Sequence, residues 1–557
     1  MKNKLIYPIL GLALFLRLFQ LSSLPVSLFG DEIDAGYHAW SLATTLRDYR
    51  GHFLPTYIQS LSEWRAPLLM YVTAPFVGLM GPSNFSVRLP SALLGVASVY
   101  LIFLLAGRLY PNKKYLGEIT ALVLTLSPWH LHYTRNATEQ ATLFFLVLLG
   151  IYLYLKNLSS KKYSALFLIP FVLTFYTYSI ANLFVPLLGL ILVIAFPPDW
   201  KKLLERQSVM GTILAFLLFI PIGYQILLGP AAGRFKLINI FADPKTVEQV
   251  IIDRTQPWVK NQAIETFFHN KYLAYGQVFV SNYLTSFSPN FLFLHGDPNY
   301  RQSIARFGEV LLIWAPFLFI GLVVLFSKEN RKSNFLVLLW LLAIPVPSAS
   351  TIGGGDHASR LFLMNFPLTL LVGLGVIHFF HELKRPIAKI SLVILSFLVI
   401  LNFAAYWYQY AFQYRYDSLS YWQYGYESLF KIAKPHLNGK RRVFVNNTAN
   451  PSLYRFAFYT AYPPSDFQKN FKGDITKKDI IEGFDGFQFG DNYFFGKIKN
   501  FSEITTTLSK GDLYLAAQGE EVPGDWDWSI TPPSGLKPLG VVRNFRGQPI
   551  FYVMEKI

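Results

Sequence analysis

Cysteine is absent from all 557 residues of the chain. Disulfides, zinc-thiolate centres and thiol nucleophiles are therefore excluded, and any part outside the cytoplasm folds without bridges. Charge is scarce too. Only 15% of residues are Asp, Glu, Lys or Arg, 52% are hydrophobic, and the mean hydropathy is +0.33. A soluble globular chain carries about a quarter charged residues, so the deficit points to a polytopic membrane protein. Acidic residues are the scarcer sign, 33 against 50 Lys and Arg, for a formal charge of +17. The basic residues fall in small clusters between apolar runs rather than in one block, so they read as a topology signal and no nucleic-acid partner is expected. No internal repeat and no low-complexity tract interrupts the pattern.

What is abundant fits that reading. Aromatics make up 17% of the chain, including 50 Phe and 33 Tyr, as lipid-facing and interfacial positions favour. Apolar runs occur near 5–22, 87–108, 116–131, 137–155, 163–180, 182–197, 208–228, 308–326, 333–349, 361–381 and 388–409. Most approach the ~20 residues that a ~30 Å hydrocarbon core requires. Alternate connections carry Lys2/Lys4, Arg108/Lys113/Lys114, Lys156/Lys161/Lys162, Lys201/Lys202/Arg206, Lys328/Arg331/Lys332 and Lys384/Arg385/Lys389. The positive-inside rule puts these in the cytoplasm. The N-terminus is expected to be a cytoplasmic, uncleaved signal anchor, because no small-residue cleavage site follows the first run. Residues 67–81 are short and interrupted by Pro75 and Gly78. Counting them as a span would put every later basic cluster outside, so a re-entrant or interfacial helix is expected there.

After the last run the composition changes. Residues 411–557 are richer in charge, with short β-like runs at 442–445, 512–517 and 549–554 between Gly and Pro. The expected fold class is an α-helical polytopic membrane protein of about 11 transmembrane helices, with amphipathic helices in the first outer loop. A transmembrane domain over 1–410 is followed by a small extracytoplasmic α/β domain over 411–557.

On this topology the outer loops hold the candidate chemistry. Asp31, Glu32, Asp34 and His38 begin a helix just past the first run. Capping accounts for one or two of the three carboxylates, since acids in a first turn suit the helix dipole. Three acids at the lip of a bilayer call for function as well. Glu63 and Arg65 form either an exposed ion pair or an acid with a phosphate clamp. Between spans three and four lie His130, His132, Arg135 and Glu139, the last entering an apolar helix. The two histidines lack an evident third ligand, so a divalent metal is left open and interfacial hydrogen bonding is the plainer reading. Gly353-Gly354-Gly355 precede His357 and Arg360 without a phosphate-loop pattern. A turn presenting those two side chains to a lipid phosphate and ordinary interfacial anchoring are equally compatible with it. Asp525-Trp526-Asp527 matches a nucleotide-sugar motif, but such donors are scarce outside the cell.

Several segments together resemble the membrane glycosyltransferases of the protein O-mannosyltransferase and aminoarabinose-transferase type, with the GT-C fold (family 39-like). They are Asp31-Glu32, Glu63-x-Arg65-x-Pro67-Leu68, and Ser86-Val87-Arg88-Leu89-Pro90-Ser91-Ala92. Ser127-Pro128 with Arg135-Asn136-Ala137, and His357-x-x-Arg360, complete the set. The resemblance covers about residues 1–400 and implies a polyprenyl-phosphate-linked sugar donor. The acceptor hydroxyl lies on a lipid, glycan or protein at the outer face of the cell envelope. It implies Asp31 as the catalytic base, with Arg65 in place of the lysine of the family's Glu-Lys-Pro-Pro pattern.

The resulting expectation is an inverting glycosyltransferase of the cell membrane, with Asp31 and Glu32 catalytic. Asp34, Glu63, Arg65, Arg135, Glu139, His357 and Arg360 are expected to bind substrate, and the arginines and His357 to meet the leaving phosphate. The alternative is a transporter or lipid flippase using the outer carboxylates as proton or substrate sites. Transporters usually show repeats and mid-membrane charges, and neither is evident here.

Overall fold

The computed structural model describes residues 4–60, 63–160, 164–229, 238–256, 261–437, 441–499 and 504–557. Lys2, Lys161 and Lys162 of the charge pattern, and part of residues 229–307, which join the runs 208–228 and 308–326 and are expected to form a long outer loop, lie outside the described residues.

Every expected apolar run carries helix. Among the described residues six helices are long and apolar enough to cross a membrane: Asn84–Leu109, Glu139–Leu158, Arg206–Leu227, Arg331–Ala349, Ala358–Glu382 and Arg385–Asp417. The remaining runs form shorter apolar helices: Ile6–Leu18, Leu116–Thr125, Ala165–Thr174, Ala181–Ala195 and Leu312–Val324. The shortening has local causes. The run 116–131 breaks just before Pro128, where proline restricts the residue ahead of it. Residues 68–80 form a 13-residue helix with Pro75 inside, too short to span on its own.

Two compact units divide the chain. One comprises Met1–Phe19, Thr56–Leu69 and Ser91–Tyr414; the other comprises Gln20–Pro55, Met70–Pro90 and Arg415–Ile557. The first is the helical bundle. Ala358–Glu382 runs through its middle, largely buried. The most apolar stretch of Arg385–Asp417 is almost wholly uncovered, as a lipid-facing helix would be, and its last turns bury Tyr406, Tyr410 and Tyr414. Ala315–Val324 crosses the central helix at close range. A Cβ on Gly321 would lie 2.0 Å from the Leu371 carbonyl oxygen, and one on Gly375 1.9 Å from that of Phe317. Small residues allow such backbone approach in a membrane, where packing rather than hydrophobicity drives helices together. The bundle also holds a two-stranded antiparallel ribbon, β1 (Ile58–Ser60) and β2 (Glu63–Arg65).

The second unit is built on a mixed sheet. Its strands are β3 (Val443–Asn446), β4 (Lys477–Ile481), β5 (Phe484–Phe489), β6 (Tyr493–Ile498), β7 (Leu513–Ala517), β8 (Leu536–Arg543) and β9 (Pro549–Lys556). Their order across the sheet is β4-β5-β6-β3-β7-β9-β8. β3 lies parallel to both β6 and β7, and the outer pairs are antiparallel. Phe444, Phe484, Phe494, Tyr514, Trp528 and Tyr552 form a core on the sheet. The helices Leu453–Thr460 and Pro464–Asn470 pack on the helix Gly30–Thr45 in the same unit. Gly36 permits part of this packing, since a Cβ there would meet Val87 at 2.7 Å and Phe458 at 2.9 Å.

Candidate active site

The first-loop acids sit where a helix start would place them, on the first turn and a half of Gly30–Thr45. Their environments differ sharply. Glu32 is buried, and its Oε2 accepts from the Phe29 amide at 3.0 Å, closing the first turn. Arg88 grips the same carboxylate with two hydrogen bonds, Nε to Oε1 and Nη2 to Oε2, both 3.0 Å. The other Arg88 donors go to the carbonyls of Leu21 (3.2 Å), Pro25 (2.8 Å) and Ser27 (2.5 Å). All five guanidinium hydrogens thus have acceptors, and a buried charge pair survives only when so satisfied. Asp34 is fully buried as well. Its Oδ1 accepts from the Tyr49 hydroxyl at 2.7 Å, and Oδ2 lies 3.8 Å from His38 Nε2. His38 stacks on the Tyr49 ring at 3.7 Å. Burial, and then the Asp34 carboxylate, push the Tyr49 hydroxyl well above its ordinary range, so it stays a donor.

Asp31 is only half-buried. Its neighbourhood includes Arg455, from the tail, whose pKa burial lowers while nearby tyrosines and Asp31 oppose the shift. Arg455 donates to Gln423 Oε1 and to the Pro451 carbonyl, and its guanidinium lies 4.7 Å from the Tyr426 ring centre. Gln423 Oε1 also accepts from the Gly30 amide at 2.9 Å, at the head of the Asp31 helix. Sequence reading missed Arg455 and Gln423. Nothing local marks them, because their role depends on the tail folding against residues 30–45.

In the bundle unit, Glu63 and Arg65 lie on β2, with Ser60 opposite Glu63 and Ile58 opposite Arg65. Glu63 is exposed and Arg65 half-buried; Ser62, beside them, lies outside the described residues. Arg135 is buried and donates to the carbonyls of Leu16 and Phe19 (2.6 Å to the latter) at the end of the first helix. Its guanidinium lies 5.7 Å from the Trp407 ring centre and 5.6 Å from that of Tyr410. Glu139 opens the helix Glu139–Leu158, half-buried, in the first turn that favours an acid. The two histidines diverge: His130 Nδ1 meets Arg17 Nη2 at 2.6 Å, and His132 Nε2 lies 2.8 Å from the Arg301 carbonyl. Among the described residues no group of three or more His, Asp and Glu is arranged to hold a metal ion, and no step is assigned to one.

The glycine turn leads into His357, at the N-cap of the helix Ala358–Leu361, and Arg360 within it. His357 is pushed down to about 3 by burial, then by Arg360 and Arg301, so it is neutral near pH 7. Its Nδ1 lies 3.0 Å from Ser359 Oγ. Arg360 is half-exposed and hydrogen-bonds through Nη1, to Thr351 Oγ1 (2.6 Å) and the Ile352 carbonyl (3.0 Å). A buried acid pair stands beside this turn, and the sequence reading did not single it out. Asp297 Oδ2 accepts from the Ala358 amide at 3.0 Å, and the Asp297 amide donates to Glu309 Oε1 at 3.2 Å. Burial raises Asp297 to about 6 and also lifts Glu309 well above the usual carboxylate range.

The bundle also carries an open apolar groove of about 920 Å³. Leu16, Leu122, Phe380, Val399 and Phe403 line its length, with Lys114 and His381 near one end and Trp407 near the other. Trp407 is the ring over which Arg135 lies. In the tail, Asp527 pairs with Arg543 at 2.7 Å, and Trp526 Nε1 donates to Thr531, so the Asp-Trp-Asp segment is occupied by its own fold.

Residues 64–224 match the family model described as dolichyl-phosphate-mannose-protein mannosyltransferase. An uncharacterized protein of Aquifex aeolicus (strain VF5) is 28% identical over 194 residues, 34% of this chain. The chain spans 38% of the length of that curated relative. Among solved structures, ArnT from Cupriavidus metallidurans bound to undecaprenyl phosphate superposes with a TM-score of 0.54 at 12% identity, covering 99% of this chain and 98% of that one. The apo form of the same protein gives 0.49 at 11% identity, over 98% and 97%. Residues 64–224 are thus similar to the dolichyl-phosphate-mannose-protein mannosyltransferase family model, and the chain as a whole is a polytopic membrane protein with the ArnT-like GT-C fold.

Proposed function

We propose that the protein transfers a sugar from a polyprenyl-phosphate donor to an acceptor hydroxyl on the extracytoplasmic face, with inversion. The observation that carries this reading is the apolar groove with a buried arginine at one end. An isoprenoid tail suits the groove, and Arg135 over Trp407 supplies positive charge where a phosphate would stop. ArnT, which shares the fold, binds undecaprenyl phosphate. The groove lies between helices reading as membrane spans, and the short helices complete about 11 crossings with the N-terminus in the cytoplasm. Residues 1–410 make the transmembrane domain and 411–557 the outer one.

Asp31 takes the proton of the acceptor hydroxyl, the base role that needs hydrogen-bond reach. The hydroxyl oxygen bonds to the anomeric carbon as the bond from that carbon to the phosphate oxygen breaks. Polyprenyl phosphate leaves as an anion, which calls for positive charge rather than a general acid. Arg65, Arg135 and Arg360 supply it, and neutral His357 offers a hydrogen bond. Glu32 and Asp34 position Asp31 by fixing its helix to Arg88 and Tyr49, while Glu63 and Glu139 orient the sugar or acceptor. The test offers purified protein a panel of polyprenyl-phosphate sugars and reads release of polyprenyl phosphate. Release with one donor is expected. No release from any donor, together with uptake of the donor lipid across liposomes, would overturn the reading.

A further inference from the structure

The sheet unit contains a second cavity, about 380 Å³, lined by Thr448, Lys497, Ile498, Tyr514, Glu520 and Glu521 among others. Its place follows from topology. β3, β6 and β7 run parallel, and the cavity gathers residues from or just beyond the carboxyl ends of all three: Thr448 after β3, Lys497 and Ile498 ending β6, Glu520 and Glu521 after β7. Because β3 is central and its parallel neighbours lie on opposite sides, the chain diverges here, the position where open α/β sheets hold ligands.

The polar groups inside are under-satisfied. Both Glu521 carboxyl oxygens and the Tyr514 hydroxyl are buried without a well-aligned hydrogen bond, although Tyr514, Asn446 and the backbone at Ala517 and Ile498 surround the carboxyl. The turn after β7 sets Glu521 back over the strand ends, its amide donating to the Ala517 carbonyl at 3.2 Å. Burial raises the carboxyl to about 7, so it is able to donate as well as accept. Buried polar atoms left this way imply a partner. Ile498 and Ile504 add an apolar wall. Lys499 is committed to Asp479 and Asp485.

We propose that this cavity binds a saccharide of one or two rings, its hydroxyls meeting Glu521, Tyr514 and Thr448 and its C–H face resting on Ile498 and Ile504. The volume falls at the lower end of small-molecule sites and suits so small a ligand. A sugar ring offers the matching combination of hydroxyl rim and apolar face. A bare cation is disfavoured by Lys497 in the lining. The inference stands apart from the transferase reading, because every group in it belongs to the sheet unit.

The test uses the full chain in nanodiscs free of sugar detergents. Glucose, mannose, galactose, N-acetylglucosamine and glucuronate are screened by saturation-transfer NMR. At least one is expected to bind, with affinity changing through pH 7 in the wild type and flat in Glu521→Gln. Glu521→Leu should weaken it about tenfold or more, the scale of a lost buried hydrogen bond, with an unchanged melting temperature showing the sheet intact. If Glu521→Leu melts early, Thr448→Val carries the same expectation. No binding by any of these sugars, or wild-type affinity in the variants, would show the cavity to hold water alone.

Discussion

The acids of the sheet unit and the cations of the bundle were equal candidates by residue type, and the structure sorts both by the same criterion. On the helix Gly30–Thr45, Glu32 and Asp34 are buried and matched to Arg88 and Tyr49, while Asp31 is half-exposed. In the bundle, Arg135 is buried against backbone carbonyls, while Arg360 is half-exposed and hydrogen-bonds through one terminal nitrogen. Each region therefore pairs fixed charges, of which Arg135 still lends its field to the end of the groove, with one that reaches accessible surface. Buried, fully satisfied charges hold geometry, because losing a partner strands the other charge. Partly exposed ones have room to meet a substrate.

That contrast breaks first at Asp31. Asp31→Asn is expected to lower transfer by about 10²- to 10⁴-fold, the usual range for a lost general base, with melting temperature and donor binding nearly unchanged. Normal turnover by this variant would remove Asp31 from the chemistry. Glu32→Gln is expected to do the reverse. Leaving Arg88 without its carboxylate should cost about 3–5 kcal/mol of stability, read as early melting or loss of folded protein. A Glu32→Gln protein that melts normally yet fails to turn over would make Glu32 catalytic and erase the distinction.

A smaller effect is expected at Arg360. Replacement by Gln should lower kcat/KM about 10- to 100-fold, as loss of a hydrogen bond to a charged group does, and Arg360→Lys should recover part of it. Equal activity in the Gln variant would show that the phosphate is met elsewhere.

The weakest test is of pH. His357, held neutral down to about 3 against 6.5 in the open chain, contributes stability that is present above pH 6.5 and fades as pH falls towards 3. Asp297, raised from 3.8 to about 6, has the opposite sign: its contribution is full below pH 3.8 and is lost as pH rises through 6. Glu309, also raised, adds to the Asp297 sign. Between pH 4 and 6 the slopes oppose. His357→Asn should steepen the fall of the melting temperature with rising pH there, and Asp297→Asn, which leaves His357 and Glu309 opposed, should flatten it, each by a few degrees. Identical profiles for both variants would break the assignment.

Much of the bundle was legible because hydropathy and basic loops report directly on a bilayer. Each apolar run became helix, and 67–81 became a short one with Pro75 inside it. In the tail, the runs at 442–445, 512–517 and 549–554 became β3, β7 and β9. β5 and β6 escaped notice because Asp, Gly and Lys interrupt their aromatic alternation, and their pairing with each other and with β3 supplies what local pattern lacks. Asp297, Glu309 and Arg455 escaped for a different reason. A charged side chain looks solvated in sequence until the fold buries it.

The sequence by itself determined the solvent of this protein, the placement of its helices and the cluster of acids after the first one. Those depend on side-chain polarity and period, properties that neighbouring residues express together. Only the tertiary structure decided which acid is frame and which is accessible, and that Arg455 of the tail stands by Asp31. Burial and pairing are made by residues far apart in the chain, and they decide whether a charge is held in place or left available to react.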